Sequence, residues 1–262
     1  MTPFDTYRSL YTLNGKVALV AGGAGGIGSA VCEGLAAFGA TVLIGEQNCC
    51  SKADPMAAEL QAAGGQVHAV TLDVLNVPQL GQAMSEIIER FGRLDVVVNC
   101  AGTHKEAPAE AFTEEDWDRV VDLNLKAAFF LSQAAARVQI GRGGGKHIHI
   151  SSVRSMLGIH RGYVAYCASK GGLNLMIKQL ATEWAKHNIT VNGIAPTFTR
   201  TELVKNYLED PDFYNPLVAR IPLGRVCEPA DLAALAIYLA APASNFITGQ
   251  IIFADGGVTA AQ

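Results

Sequence analysis

The sequence predicts an α/β fold in which a doubly wound parallel sheet carries helices on both faces. Seven short runs of β-branched and aliphatic residues recur along the chain. Stretches with apolar residues at helical spacing lie between most of these runs. Strands that are apolar almost throughout are typical of a parallel sheet buried on both faces, because right-handed crossovers place the intervening helices against it.

The seven strand candidates define this sheet. They cover residues 16–20, 41–44, 67–71, 95–98, 146–150, 190–194 and 250–253. One intervening helix has a recognisable start, because Thr113 with Asp116 three residues later resembles a capping box. An apolar stripe follows at Trp117, Val120, Val121 and Leu125. We expect the continuation of this helix to carry Asn124 inward.

Length and composition predict one domain over residues 1–262. Half of the residues are hydrophobic and 17% are charged, a composition that supports a sizeable buried core. We find no linker, low-complexity tract or repeat that divides the chain. The segment 199–220 is rich in Pro, Asn, Asp, Tyr and Phe and is longer than a usual connection, so we expect it to form a lid over the substrate.

Charge, apolar runs and cysteines argue against several classes of protein. The formal net charge of −4 and the lack of a Lys/Arg block argue against nucleic-acid binding. The uncharged stretch 17–32 is too short for a membrane span, and no signal peptide is evident, so we expect a cytoplasmic protein. No cysteine spacing suits zinc, so we expect no metal site and free thiols at Cys32, Cys49, Cys50, Cys100, Cys167 and Cys227.

A glycine pattern marks the first strand-to-helix turn. In KVALVAGGAGGIGSAVCEGL, Gly22, Gly26 and Gly28 stand where the first strand candidate turns directly into a helix. Glycines permit a tight turn and let the backbone approach a pyrophosphate, while the helix N-terminus offers free N–H groups and a positive dipole. This context predicts a Rossmann-type dinucleotide site rather than a flexible loop.

An acidic residue indicates which dinucleotide binds. Glu46 ends the second strand candidate, 18 residues beyond Gly28, where a carboxylate accepts hydrogen bonds from the adenosine ribose. A carboxylate about 4 Å from the extra phosphate of NADP would cost about 4 kcal/mol at an effective dielectric of about 20. Neither Gln47 nor the glycine turn supplies a compensating cation. We therefore predict NAD, the alternative being that Glu46 is a solvated surface side chain.

A tyrosine and a lysine four residues apart indicate acid–base chemistry. Tyr166 and Lys170 lie in the helical segment YCASKGGLNLMIKQLATEW and project from one face. The nearby ammonium group is expected to lower the Tyr166 pKa from its usual value of about 10. Tyr166 would then take the proton of an alcohol or return it to an alkoxide, while Ser152 would donate a hydrogen bond to the substrate oxygen.

These features follow one another in a characteristic order. That order is the glycine turn, Glu46, Asp73, NCAG at 99–102, Asn124, Ser152, YCASK and the Pro196 segment. From about residue 16 to residue 257 the set resembles the short-chain dehydrogenase/reductase family. The resemblance implies a catalytic tetrad of Asn124, Ser152, Tyr166 and Lys170.

The resemblance also implies how the cofactor is held. Lys170 would bond the nicotinamide ribose, and Asn124 would hold a water that links Lys170 to solvent. The adenine would meet Asp73 and Val74, and the nicotinamide carboxamide and pyrophosphate would meet two threonines that follow Pro196. The cofactor-binding residues implied in all are Gly22, Gly26, Ile27, Gly28, Glu46, Asp73, Val74, Asn99, Tyr166, Lys170, Pro196, Thr199 and Thr201.

The chain departs from the family pattern at four points. Three are substitutions: Ala21 stands where Thr is usual, Cys100 replaces the second Asn of N-N-A-G, and Thr197 replaces a Gly. The fourth is the spacing before Tyr166, which is one residue longer than usual. Ser152 is the best candidate for the catalytic serine, and the neighbours that compete with it are Ser151 and Ser155.

Two stretches suggest a substrate class. SSVRSMLG and WAKHNITVNGIAP are similar to the branch that contains gluconate 5-dehydrogenase and related sugar-acid and polyol dehydrogenases. Arg154 would reach a substrate carboxylate or hydroxyl, the alternatives being an ion pair within the chain or a subunit contact.

The predicted activity is hydride transfer between NAD(H) and the secondary alcohol or ketone of a polyol, sugar or sugar acid. The alternatives are a 3-oxoacyl thioester reductase and a non-catalytic dinucleotide-binding protein. The family resemblance further implies a homotetramer.

Overall fold

A computed structural model of the chain describes residues 2–49 and 51–261. The described cysteines are free thiols, and the expectation for Cys50 lies outside the described residues. Within the described ranges, no helix combines the length and apolar character needed to cross a membrane.

The centre of the fold is a seven-stranded, fully parallel sheet with the strand order β3-β2-β1-β4-β5-β6-β7. The strands are β1 (Val17–Ala21), β2 (Thr41–Glu46), β3 (Gln66–Thr71), β4 (Val96–Asn99), β5 (Gly145–Ile150), β6 (Ile189–Pro196) and β7 (Ile251–Ala254). Each strand candidate is confirmed, and each observed strand begins and ends within two residues of it. The strand order reverses between β1 and β4, and parallel sheets bind ligands at such a switch point.

Helices cover both faces of the sheet, as the doubly wound prediction requires. They are α1 (Pro3–Ser9), α2 (Gly26–Ala37), α3 (Ala53–Ala62), α4 (Val77–Phe91), α5 (Glu114–Val121), α6 (Ala127–Gln139), α7 (Val164–Trp184), α8 (Lys205–Leu208), α9 (Pro211–Val218) and α10 (Pro229–Ala240). Alternate residues of β1 show the two layers. Ala18 and Val20 pack in a core with α2, α3 and α10, while Leu19 and Ala21 pack in a second core with α4 and α6.

The predicted start of α5 is half confirmed. The Thr113 hydroxyl accepts a hydrogen bond from the Asp116 N–H at 3.1 Å, as an N-cap does. The reciprocal half of the capping box is not formed, because the Asp116 carboxylate pairs with Lys105 and Arg119, each at 3.2 Å. These ion pairs draw the carboxylate away from the backbone N–H of Thr113.

The stretch between α5 and α6 is a π-helical turn, Asp122–Lys126. The sequence pattern predicts a continuous helix here, and the structure instead inserts one wider turn. Asn124 lies at its centre with 1% of its surface exposed. The expected inward direction of Asn124 is therefore confirmed, although the helix type was not foreseen.

Candidate active site

A cleft opens where β1, β4, β5 and β6 end, at the switch point of the sheet. Residues from the glycine turn, from the loops after β4, β5 and β6, and from α7 and α8 form its walls. Among the lining residues are Ile27, Cys100, Gly102, Thr103, His104, Ser152, Arg154, Tyr166, Lys170, Pro196, Thr197, Thr199, Thr201 and Tyr207. All four tetrad candidates thus lie at or beside this cleft, although they are spread over residues 124 to 170.

The glycine turn fits a dinucleotide because side chains would block it. Gly22 has a φ of +70°, in the left-handed region that favours glycine. A Cβ on Gly28 would overlap the Gly22 carbonyl oxygen, and a Cβ on Gly26 would lie 2.6 Å from the Thr201 side chain. The first turn of α2 therefore presents its backbone to the cleft without obstruction, which is the geometry that a pyrophosphate needs.

Glu46 lies beside this turn at the end of β2. Its Oε1 accepts a hydrogen bond from the Ala24 N–H at 2.8 Å. Glu46 is therefore not merely a solvated surface side chain, because it braces the glycine turn. The bond engages one carboxylate oxygen, and we find no protein donor to Oε2 among the described residues.

The predicted adenosine contacts stand at or just after the ends of β3 and β4, which lie on either side of β2 and β1 in the sheet. The Asp73 carboxylate accepts from Gln47 Nε2 at 3.0 Å and from the Leu75 N–H at 2.9 Å. Val74 is buried next to it. Asn99, at the end of β4, accepts from the Ala101 N–H at 3.2 Å. These side chains are held in place before any ligand binds.

Pro196 ends β6, and the two predicted threonines follow it. Thr199 is buried, and its hydroxyl donates to the Thr197 carbonyl at 3.2 Å. Its backbone forms an isolated bridge to Cys227. Thr201 is half-buried and faces Gly26 across the cleft. The residues after β6 therefore reach back to the glycine turn.

Asn124 fastens the loop after β4 to α7. Its amide donates to the Thr103 carbonyl at 2.8 Å and to Ser169 Oγ at 3.1 Å, and its Oδ1 accepts from the Thr103 N–H at 2.8 Å. Gly102 passes close by, since a Cβ there would lie 3.3 Å from Asn124 Oδ1 and 3.7 Å from Lys170 Nζ. The π turn thus places an amide within the same polar cluster as Lys170.

Lys170 is buried, and its ammonium group donates to the Ile150 carbonyl at 2.7 Å. Its Nζ lies 5.8 Å from the centre of the Tyr166 ring. Burial lowers the pKa of Lys170 to about 8. The predicted pairing on one face of α7 is confirmed, and burial brings the Lys170 pKa closer to neutral pH while the ammonium form still predominates there.

The expected depression of the Tyr166 pKa is not found in this structure. Tyr166 is partly buried, and desolvation of its hydroxyl raises the pKa above the usual 10. A hydrogen bond with Ser152 and the charge of Arg154 lower the pKa in part, whereas Lys170 makes no such contribution. The prediction was wrong on this point because Lys170 is turned toward Ile150 rather than the phenol oxygen.

The three candidate serines make different contacts. Ser151 donates to Asn174 Oδ1 at 2.6 Å, and Asn174 donates to Ser155 Oγ at 2.7 Å, so that Asn174 links these two serines by hydrogen bonds. Ser152 Oγ instead accepts from the Arg154 N–H at 3.1 Å, and it is the serine close enough to the Tyr166 hydroxyl to lower the pKa of that tyrosine. This arrangement favours Ser152 as the serine beside Tyr166.

Arg154 is half-buried at the edge of the cleft. Its guanidinium donates to the Gly158 carbonyl at 2.9 Å and makes no ion pair with any residue that the structure describes. Burial lowers the pKa of Arg154, and an arginine side chain stays protonated in proteins. The ion-pair alternative is therefore not observed, and a full positive charge faces the cleft.

The sequence prediction missed His104. Its ring packs edge-on against Tyr163 at 5.5 Å and against Tyr166 at 6.3 Å. Burial lowers the His104 pKa, which favours the neutral imidazole. The signal in the sequence was its place directly after NCAGT, since the loop following a central strand of a parallel sheet borders the ligand site.

Comparisons with known proteins agree with this geometry. A family model described as enoyl-(acyl carrier protein) reductase matches residues 22–259. Gluconate 5-dehydrogenase of Gluconobacter oxydans is 35% identical over 254 residues, which are 97% of this chain and 98% of that protein. The chain belongs to the short-chain dehydrogenase/reductase family.

Further relatives of this short-chain dehydrogenase/reductase lie in the same group. The 5-keto-D-gluconate 5-reductase of Escherichia coli K12 is 36% identical over 97% of this chain and 99% of its own. A crystal structure of a gluconate 5-dehydrogenase from Burkholderia cenocepacia, in complex with NADP and tartrate, superimposes with a TM-score of 0.93. That protein is 37% identical, and the match covers 97% of this chain and 99% of the relative.

Proposed function

We propose that this short-chain dehydrogenase/reductase transfers a hydride between NAD(H) and the secondary alcohol or ketone of a sugar acid. The observation that carries the proposal is the meeting of Ser152, Tyr166 and Lys170 in one cleft beside an unobstructed glycine turn. The sugar-acid class is supported by relatives named gluconate 5-dehydrogenase and 5-keto-D-gluconate 5-reductase.

Tyr166 is the proposed acid–base group. In the oxidative direction its phenolate oxygen accepts the hydroxyl proton of the substrate, and in the reductive direction its hydroxyl returns that proton to the alkoxide oxygen. A bound dinucleotide supplies the hydride acceptor or donor for the carbon centre. Because Tyr166 has a raised pKa in this structure, the phenolate needs stabilisation from positive groups near the filled cleft.

The three other members of the tetrad support this proton transfer. Ser152 is placed to hydrogen-bond the substrate oxygen as charge develops on it. Lys170, with a pKa of about 8, exchanges a proton readily near neutral pH. Asn124 is bonded on three sides and fixes the loop that borders Lys170, so we propose that it holds the path by which Lys170 reaches solvent.

Glu46 supports NAD as the preferred dinucleotide. Its Oε2 is available to a ribose hydroxyl, while the carboxylate charge would repel the additional phosphate of NADP. The Burkholderia cenocepacia relative is in complex with NADP, so the choice in this chain rests on Glu46 itself. The same preference argues against the thioester-reductase alternative, whose members generally use NADP.

Arg154 is the proposed partner of the substrate carboxylate. A guanidinium matches a carboxylate with two parallel hydrogen bonds, and this one carries its charge without an ion-pair partner among the described residues.

We also propose a homotetramer in the cytoplasm, as the family resemblance implies. Light scattering of the purified protein tests the tetramer.

The decisive experiment replaces Tyr166 with Phe. Removal of the hydroxyl is expected to lower kcat by about 10³-fold or more while NAD binding persists, since acid–base groups contribute about 10²- to 10⁴-fold. Reduced nicotinamide absorbance with gluconate and related sugar acids measures turnover, and calorimetry measures NAD binding. Tyr163→Phe is the matched control, because its ring lies 6.1 Å from that of Tyr166 and is expected to be dispensable for proton transfer. Full activity of Tyr166→Phe would contradict the mechanism.

A further inference from the structure

Arg161 joins three segments around the substrate end of the cleft, and the proposed chemistry makes no use of it. It lies in the loop that leads into α7, five residues before Tyr166. It contacts Glu106 in the loop after β4, and it contacts Tyr207 and Phe213 in the segment 199–220. Its side chain is only 23% exposed, which is unusual for an arginine on a loop.

The first contact fixes Arg161 to the catalytic side of the cleft. Its Nε donates to Glu106 Oε1 at 2.9 Å in a pair whose side chains are 23% and 34% exposed. A backbone hydrogen bond of 3.0 Å from the Ala107 N–H to the Gly162 carbonyl lies directly beside this pair. The two loops are therefore joined at adjacent residues by an ion pair and a backbone bond.

The second set of contacts reaches the segment 199–220. The guanidinium carbon lies 5.0 Å from the ring centre of Tyr207 and 5.2 Å from that of Phe213. The two rings pack against each other at 5.4 Å. A cation at such distances is attracted by the face of each ring, and partial desolvation strengthens the attraction.

These rings connect Arg161 with the reacting end of the cleft. Tyr207 is one of the residues that line the cleft, whereas Phe213 stands behind it and does not line it. On the other side Arg161 lies 6.0 Å from the Tyr163 ring, which packs against Tyr166. Loss of the guanidinium would therefore release the wall formed by α8 and α9 while leaving the glycine turn untouched.

We propose that Arg161 is a positioning residue that holds the lid segment, residues 199–220, over the substrate end of the cleft. Glu106 anchors the guanidinium, and the rings of Tyr207 and Phe213 pack against this guanidinium. The inference depends on the proposed function for its kinetic test, because it assigns this cleft to the substrate. The contacts of Arg161 within this segment lie in α8 and α9, beyond the two threonines assigned to the cofactor, so the proposal predicts an effect on the substrate side alone.

The kinetic test uses Arg161→Gln and Arg161→Lys. Arg161→Gln is expected to raise KM for the sugar acid about tenfold and to leave KM for NAD unchanged, since two cation–π contacts and an ion pair are lost together. Arg161→Lys keeps the charge and should recover part of the loss. Arg225→Gln is the matched control, because it breaks an exposed ion pair of 2.6 Å with Asp231. Equal rises in both KM values for Arg161→Gln would overturn the proposal.

The second test does not require turnover. Hydrogen exchange of residues 205–218, which form α8 and α9, is expected to quicken about tenfold in Arg161→Gln, with no change in β1, β4 or β5. Phe213→Leu removes a ring that lies outside the cleft, so it should quicken the same segment, and the double variant should add little to either change. The proposal that Arg161 holds α8 and α9 would be refuted by additive effects of the two substitutions on exchange, or by unchanged exchange of these helices in Arg161→Gln. A wild-type protein that oxidises no sugar acid would instead refute the proposed function. The hydrogen-exchange measurement would still test whether Arg161 positions α8 and α9.

Discussion

The glycine turn, residues 22–28, and the lid segment, residues 199–220, both border the cleft but are held in different ways. In the turn, added side-chain atoms on Gly22 or Gly28 would meet backbone atoms, which cannot move aside. In the α8–α9 part of the lid segment the contacts with the rest of the protein are between side chains, such as the ring of Phe213 with that of Phe198 at 5.5 Å. The comparison teaches that the cofactor side is fixed by the backbone, whereas the substrate side is set by side chains that can change one at a time.

The largest expected effect comes from Gly28→Ala. Alanine normally favours a helix, but here its Cβ would overlap the Gly22 carbonyl oxygen. We expect NAD affinity, measured by calorimetry, to fall by about 100-fold or more, equivalent to about 3 kcal/mol. Gly81→Ala in α4 is the matched control, because nothing lies within 4 Å of the added Cβ. Normal NAD affinity in Gly28→Ala would show that the turn is more pliable than the backbone contacts imply.

An intermediate effect is expected where the two regions meet. A Cβ on Gly26 would lie 2.6 Å from the Thr201 side chain, an obstacle that belongs to the lid segment and not to the backbone of the turn. Gly26→Ala should therefore weaken NAD binding about tenfold, or about 1.4 kcal/mol. In a Thr201→Gly background the same change should cost little. If Gly26→Ala still weakened NAD binding about tenfold in that background, the obstacle to the added Cβ would lie in the turn itself.

The smallest effect concerns the cofactor preference. Glu46→Gln keeps an oxygen that can accept from the Ala24 N–H, so the brace survives while the negative charge is removed. Between water and a partly buried site, one charge at about 4 Å is worth about 1 to 4 kcal/mol, and the partial exposure of Glu46 favours the lower end. We expect the ratio of kcat/KM for NADP to that for NAD to rise about fivefold, equivalent to about 1 kcal/mol. An unchanged ratio would mean that Glu46 only holds the glycine turn through its hydrogen bond with the Ala24 N–H and does not select the cofactor.

The contrast between the two regions also explains what could be predicted from the sequence. The strands, the Thr113 cap and the glycine turn depend on local chemistry, and each is visible as a run or a spacing. The hydrogen bonds that join Ser151 and Ser155 through Asn174 depend on tertiary packing and leave no such spacing in the sequence. The raised Tyr166 pKa has the same origin, because a four-residue spacing places Lys170 on the right face without fixing which oxygen it bonds.

The π turn at residues 122–126 has a consequence for the helices on either side of it. One additional residue per turn rotates everything that follows by about 100°, since an α-helix advances 3.6 residues per turn. The phase of the apolar stripe is thereby reset, so that α5 packs against α7 while α6 turns to α4 and the sheet. The helical stretch from α5 to α6 can therefore pack its apolar residues against two different neighbours, whereas an uninterrupted α-helix of the same length would present its apolar stripe on one face only.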